Sequence, residues 1–470
     1  MDQPLLPVPD DGAVLPVPEG ALLLLPDDAL LSILAHLSPK DLLSCRLVAP
    51  RLRELCLRPE LWRSTILKYG GPDMGVLADA LGVVPCLGEI VPCGLSVDLD
   101  ALAQLASFVR ETTSVIGRLV FLVNSPTDAA HATTILEKVS SLGGLKRLWL
   151  SVGNTPSDAV TPLFQAICSV SSLCELELVC ASSPPATVSW NDLRNPSLTR
   201  FCYASSSALV DSFPQALLTA HGTTLEEVEL SGTEDLPVAL LKAMPRLHSV
   251  ACSPVDSLSQ FLPAPTLDTV FLSAPREDAF PRGALDLLRE ASQLKFVSFH
   301  FPTESPAAPL EALVRSRSAR CLETLWLYSA SAFLDLVAAA LPRFPSLHTL
   351  YLEDPPSDSF LRAVSPASAP RLATLDVPPP VSCPHSWLHG PAVVDVLQRN
   401  PRLHLRFDRC PGIPDDCPCC WCRWGCHAEL RLRPASLDSP FSAHRRRAGC
   451  PADCFQVAVA PCPSCARSAA

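Results

Sequence analysis

The sequence predicts an α/β protein: a head of three short helices followed by a long array of strand-and-return repeats. Two observations carry this expectation. Aliphatic residues recur at helical spacing between residues 22 and 62, punctuated by prolines, and a short strand pattern returns ten times at intervals of 20 to 28 residues. A third sets the scale: with 470 residues the chain exceeds the size at which one hydrophobic core stops growing, which leaves several domains or an elongated array.

Composition bounds the function classes. Hydrophobic residues make up 48% and charged residues 18%, enough apolar surface to fold and too much for global disorder. The excess of 48 acidic over 37 basic residues argues against a whole-protein nucleic-acid surface, because a polyphosphate partner needs a net positive face. The run Ala21 to Leu25 is too short for a membrane span or a signal core and follows acids instead of Lys or Arg, so no membrane partner is expected and the expected compartment is cytoplasm, nucleus or both. Thiols stay reduced there, so the 21 cysteines need a reading without disulfides.

Residues 1–20 carry prolines at 4, 7, 9, 16 and 18 and read as a disordered lead-in. The head occupies 21–66. Pro26 is placed to open a helix, with Asp27 and Asp28 in its first turn, where carboxylates suit the exposed amides. Leu30, Ile33, Leu34 and Leu37 give that helix one apolar face. Ser38 reads as an N-cap with Pro39 and Asp41 behind it, opening a second helix whose buried side is read as Leu42, Leu43, Leu47 and Val48. Pro50 stops or restarts the chain, a third helix carries Leu52, Leu55 and Leu57, and Pro59 is expected to end it. Three such helices are too small to stand alone and call for a partner or neighbouring repeats.

This stretch resembles the F-box, on Leu25 and Pro26, the first-helix set Leu30, Ile33, Leu34 and Leu37, then Asp41, Leu42, Val48, Leu55, Leu61 and Trp62. Leu52 stands where that family usually has an aromatic, and Pro50 where a small polar or basic residue is common. The resemblance implies docking on the Skp adaptor, which joins a cullin scaffold and its RING subunit in an SCF-type ubiquitin ligase. It carries the adaptor contact onto Leu25, Pro26, Leu30, Ile33, Leu34, Leu37, Leu42, Leu43, Val48 and Trp62.

Residues 67–109 read as a linker or capping segment, and 110–408 as the array. A long aliphatic, two variable positions, a second aliphatic, one variable position and a third apolar residue recur as LKRLWL at 145, LCELEL at 173, LTRFCY at 198, LEEVEL at 225, LHSVAC at 247, LDTVFL at 267, LKFVSF at 294, LETLWL at 322, LHTLYL at 347 and LATLDV at 372. Fainter copies are IGRLVF at 116 and NPRLHL near 400. The intervals are 28, 25, 27, 22, 20, 27, 28, 25 and 25 residues, a period that marks leucine-rich repeats stacked as a solenoid, or horseshoe. Returns such as HATTILEKVSSLGG and LDLVAAALPRFPS have helical spacing, and the two shortest intervals imply returns without a full helix.

In each strand the variable positions point outward. They offer Lys146, Arg147 and Trp149, then Cys174, Glu175 and Glu177, then Glu226, Glu227 and Glu229, and later Glu323, Thr324, Trp326, His348, Thr349 and Tyr351. Outward aromatics dominate interface energies, so the candidate substrate-binding residues are Trp149, Glu175, Glu177, Glu227, Glu229, Trp326 and Tyr351; isolated exposed aromatics are also normal on surfaces. The acidic centre leans toward a basic partner.

Ten cysteines follow residue 409, and the last 70 residues hold ten arginines against six acids. Cys419 with Cys422, and Cys462 with Cys465, have the two-residue gap of a zinc knuckle, but the full spacing matches no closed finger. A disordered Cys/Arg-rich tail over 409–470, a zinc module, and lipidation or redox chemistry stay open, with any metal unknown. Cys45, Cys56, Cys168 and Cys252 read as small buried hydrophobes.

A catalytic centre needs a nucleophile, acid or metal held against a base, and no such constellation or phosphate-cradling loop is present. His131, His221, His248 and His348 fall in separate repeats. No cofactor is expected, and nucleic acid is not the expected partner. The expectation is a non-catalytic substrate receptor of an SCF-type ligase capturing a protein substrate; the alternative is a repeat scaffold without ligase attachment.

Overall fold

The protein's computed structural model describes residues 21–94, 100–181, 197–205, 213–232, 236–262, 265–273, 280–301, 307–378, 387–388, 390–407, 441–444 and 454–456. The lead-in and all but two short strands of the Cys/Arg-rich end lie outside the described residues. The architecture is α/β, a helical region followed by a long open repeat sheet, and it divides into two compact units. The first runs to Ser151 with Asp158–Leu173; the second holds Val152–Ser157 and the chain from Cys174 onward.

The first unit begins with a 3-10 turn, Ala21–Leu24, then α1 (Asp27–Leu34), α2 (Pro39–Cys45), α3 (Pro50–Cys56) and α4 (Pro59–Trp62). Proline takes an N-terminal position in α2, α3 and α4, where its missing N–H is no loss. Pro59 therefore opens a fourth helix instead of merely ending the third, and Pro50 restarts the chain as the first residue of α3.

Strands and helices then alternate: β1 (Ile66–Tyr69), α5 (Met74–Val83), β2 (Cys86–Pro92), α6 (Ala101–Glu111), β3 (Val115–Val123), α7 (Pro126–Leu142), β4 (Arg147–Val152) and α8 (Ser157–Ser169). β1, β2 and β3 pair in parallel, with Leu67 opposite Ile90 and Ile90 opposite Leu119. The sheet thus starts inside the stretch that the sequence leaves as a linker or cap. Its weak signal is explained by β2, CLGEIVP, where Gly88 replaces a side chain because the backbone carbonyls of Arg63 and Thr65 approach too closely for a Cβ. α7 carries its full signature: the Ser125 hydroxyl accepts from the Asp128 N–H at 3.1 Å, and Gly143 at φ 71° ends it.

In the second unit β5 (Glu175–Cys180), β6 (Arg200–Ser205), β7 (Glu227–Ser231), β8 (Ser249–Cys252), β9 (Thr269–Leu272), β10 (Phe296–His300), β11 (Thr324–Tyr328), β12 (Thr349–Leu352), β13 (Thr374–Asp376) and β14 (His404–Phe407) are neighbours in chain order, all parallel. Each repeat's first leucine, from Leu198 through Leu372, is buried, and the strand starts two residues later. One carbonyl per repeat accepts two consecutive N–H groups of the next: Thr199 from Glu226 and Glu227, Glu226 from His248 and Ser249, His248 from Asp268 and Thr269. Polar side chains close remaining gaps, as Thr224 Oγ1 donates to the Leu198 carbonyl and Ser318 Oγ to that of Ala291. Past β14, strands Phe441–His444 and Cys454–Gln456 continue the sheet, the first antiparallel to β14 and the second parallel to the first.

Return length follows the repeat interval. The intervals of 22 and 20 residues enclose only α10 (Val238–Lys242) and a 3-10 turn, Asp256–Phe261, whereas longer returns hold α9 (Phe213–His221), α11 (Arg282–Glu290), α12 (Ala307–Arg315), α13 (Leu334–Ala340), α14 (Asp358–Ala363) and α15 (Pro391–Arg399). α11 lies so tightly on the 3-10 turn that a Cβ on Gly283 would meet the Asp256 carbonyl, while the Gly283 N–H donates to Asp256 Oδ1 at 3.1 Å.

His221, 4% exposed, is the polar hinge of its repeat: its Nδ1 accepts from the N–H groups of Ser197 and Leu198 at 3.1 and 3.3 Å. Burial pushes its pKa down from 6.5 to about 4. His131 and His348 are local surface groups, and His248 lies 3.6 Å from Asp268.

Two outcomes follow. Gly283→Ala should lower unfolding stability by about 1–3 kcal/mol through overpacking, read by urea denaturation. Between pH 6.5 and 4 the unfolded chain binds a proton that native His221 refuses, so this contribution to stability is full above pH 6.5 and falls as pH drops through that window. Moving from pH 7 to pH 5 should cost about 2 kcal/mol from this group, a loss that shrinks in His221→Asn, whose amide oxygen can accept the same backbone bonds without titrating.

Candidate functional site

The helical head divides its ten anticipated adaptor contacts into buried, half-buried and exposed residues. Leu30, Leu34, Leu42, Leu43 and Trp62 are buried, together with Leu52, Leu55 and Leu61. Trp62 is the plug: wholly covered, it donates through Nε1 to the Cys56 carbonyl at 2.7 Å. These side chains hold α1 to α4 together, and burying each contributes about 1.5–3 kcal/mol. They support the head's surface and do not form it. Pro26, Ile33 and Val48 are exposed, and Leu25 and Leu37 half-buried.

Two further residues belong to that surface, Leu24 at 82% and Leu47 at 69% exposure. The sequence reading of Leu47 and Val48 as the buried side of α2 is overturned, Val48 being 73% exposed. α2 ends at Cys45, and both residues sit in a turn closed by Leu47 N–H to Ser44 and Val48 N–H to Cys45, so helical spacing no longer assigns them a face. Arg51 draws the pieces together. From the first turn of α3 its guanidinium donates to the carbonyls of Leu23 and Leu25 and pairs with Asp27 at 2.5 Å. This pins the turn bearing Leu24 beside the start of α3, three residues after Val48.

On the first strands of the first unit, Glu89 of β2 accepts from Arg118 of β3 at 3.0 Å and from Arg147 of β4 at 2.9 Å. Trp149 stands two residues on from Arg147 in this unit.

The other anticipated residues share the outward face of the second unit's strands. Register sets Glu175 opposite Arg200 and Arg200 opposite Glu227, with an Arg200–Glu227 ion pair of 3.6 Å. One step along, Glu177, Cys202 and Glu229 align on three adjacent strands. Cys202 is covered between the two glutamates; burial first, and then their negative charge, push its thiol pKa far up. The same row continues through Ala251, Phe271, Ser298, Trp326 and Tyr351.

Here the structure assembles an aromatic cluster larger than the sequence reading named. Phe271 packs on Phe296 with ring centroids 4.5 Å apart, Phe296 on Trp326 at 5.0 Å, Trp326 on Tyr351 at 5.4 Å, and Tyr351 on Tyr328 at 5.3 Å, while His300 stacks on Tyr328 at 4.5 Å. Burial and the Glu353 carboxylate raise the Tyr328 pKa. Between the glutamates and these rings lies a groove of about 430 Å³, floored by Ser249, Ala251 and Ser298.

Phe271 and Phe296 were legible, since they hold the fifth and third positions of LDTVFL and LKFVSF, both outward by the repeat rule. Tyr328 falls one position beyond the six-residue pattern, so that pattern alone does not reach it.

The chemistry is that of binding surfaces. Among the described residues no three His, Cys, Asp or Glu side chains converge to hold a metal ion; the cysteine and histidine cluster of the tail lies outside them. Cys56 and Cys252 are buried and Cys45 and Cys168 half-buried. Burial raises the thiol pKa of Cys56 to about 11 and those of Cys168 and Cys252 to about 12, which leaves these three as poor nucleophiles.

Residues 22–68 match the F-box-like family. No curated protein sequence matches the chain. Among solved structures, a yeast Rad7–Elc1 complex is similar at 18% identity and a TM-score of 0.39, covering 76% of this chain and 87% of that one. An internalin, InlF, of Listeria monocytogenes is similar at 15% identity and a TM-score of 0.30, covering 59% of this chain and 82% of that one. The protein joins a head that matches the F-box-like family to a long open sheet of parallel strand-and-return repeats.

Proposed function

We propose that the chain is the substrate-recognition subunit of a cullin-RING ubiquitin ligase of the SCF type, a non-catalytic adaptor whose head docks on a Skp adaptor and whose repeats capture the protein to be modified. The observation that carries this is the head itself: residues 22–68 match the F-box-like family, and the large aliphatics they leave exposed are Leu24, Ile33, Leu47 and Val48 among the short helices and Ile66 at the start of β1. Large aliphatics left in water beside a well-filled core mark a surface another chain covers. Pro26, with the half-buried Leu25 and Leu37, extends it. The buried Leu30, Leu34, Leu42, Leu43 and Trp62 serve the contact by shaping it.

The mechanism is tethering. Holding a substrate near a ubiquitin-charged enzyme raises the effective concentration of its lysines, and the transfer chemistry belongs to the partners. Among the described residues no helix is long and apolar enough to cross a membrane, and the proposed setting is cytoplasm or nucleus.

Co-expression of the full chain with a Skp adaptor tests this. The wild type should co-purify, and Ile33→Glu, Leu47→Glu or Val48→Glu should weaken the complex by about tenfold or more without lowering the melting temperature, because each side chain already faces water. Arg51→Ala should weaken it less, by releasing the Leu23–Leu25 turn. Absence of a wild-type complex, or a complex indifferent to all three glutamates, leaves only a repeat scaffold.

A further inference from the structure

Three features outside the head compete for a role: the doubly paired Glu89 of the first unit, the second unit's Arg-lined depression around Arg317 and Arg343, and the groove on the strand face. Glu89 is saturated by its two arginines. The arginine depression lies between the end of α12 and two 3-10 turns, with no second feature to name a ligand. The groove alone combines shape, charge and packed rings.

Its walls differ in kind. On one side stand Glu227 and Glu229, with Glu177 one strand past Cys202; on the other stand Phe271, Trp326 and Tyr328. The one cation in the lining, Arg200, is engaged by Glu227 at 3.6 Å. Lys295, nearby at the strand entrance, is paired with Asp268 at 3.5 Å. The field over the acidic wall is therefore negative, and it is felt at Cys202, whose ionisation both Glu229 and Glu177 oppose. Each ring on the aromatic wall is held by others, so no side-chain entropy needs to be lost there on binding.

Deepening the receptor reading, on which it rests, we infer that this groove takes an extended protein segment bearing an arginine or lysine a few residues from a large apolar side chain, the cation facing Glu229 and Glu177 and the apolar group seated against Phe271 and Trp326. Strand spacing fixes the interval. Neighbouring strands lie about 4.8 Å apart, so Glu229 and Phe271, two strands apart, are separated by about 10 Å, and Glu229 and Trp326, four apart, by about 19 Å. An extended segment advances about 3.3 Å per residue. The basic and apolar residues should thus stand about three to six positions apart. The small floor, Ser249, Ala251 and Ser298, leaves room for the backbone between them.

The test uses the full chain and fluorescein-labelled twelve-residue peptides on a Gly/Ser background, with one Arg and one Phe or Leu about three to six residues apart. Anisotropy should show saturable binding. Replacing the peptide Arg by Glu, or its apolar residue by Ser, should weaken binding by about tenfold or more. Combined Glu177→Lys and Glu229→Lys should reverse the preference toward the Glu-bearing peptide, while Ala251→Phe should abolish binding by filling the floor; retained melting temperatures guard against misfolding. Equal binding of Arg- and Glu-bearing peptides, indifference to the charge reversal, or no binding at all overturns the inference. Binding seen only after removal of residues 408–470 also overturns it, since the chain's own arginine-rich end is then the occupant. Adaptor co-purification is read separately: intact adaptor binding without peptide binding sinks this inference alone, and peptide binding without the adaptor sinks the receptor reading.

Discussion

The constraint on which the second unit depends is strand register, and one recurrent interaction fixes it. A single carbonyl at each strand entrance accepts two consecutive N–H groups from the next repeat, from Thr199 to His348. Side chains alternate with a period of two, so a slip of one residue would send Glu229 and Trp326 into the core and Val228 and Leu325 into water. The buried leucine two residues before each strand opposes that slip. The acidic and aromatic walls are consequently set by backbone bonding and by leucines that never touch a ligand.

The head obeys a related division of labour. Its conspicuous leucines and Trp62 fill a core that four very short helices need to stay folded, and the large aliphatics these helices and their turns leave exposed are fewer and lie where helices end. Arg51 links the two levels, spending its donors on backbone carbonyls that lack helical partners. Loss of that one side chain would leave the core intact while loosening the surface.

Much of this was readable from the amino-acid order. Ten copies of one strand pattern located β4 through β13, and the two shortest intervals foretold the reduced returns at α10 and at Asp256–Phe261. What was not readable had physical causes. β2 was hidden because Gly88 interrupts its aliphatic pattern to let two backbones approach. Leu47 and Val48 were misassigned because spacing holds only inside a helix, and α2 stops before them. In the groove, Glu177, Glu227, Glu229, Trp326 and Tyr351 were found by alternation, whereas the joining of Phe271, Phe296 and Tyr328 into one cluster depends on register between strands, which no single segment encodes.

The reduced returns also shape how the strand face responds to what it meets. Behind β8 and β9 stand a five-residue helix and a six-residue 3-10 turn, elements with few internal hydrogen bonds, so local opening costs less there than behind strands backed by two or three helical turns. Ser249, Ala251 and Phe271 rest on this thinner layer. A floor that yields by small amounts lets the strand face adjust to side chains of unequal bulk.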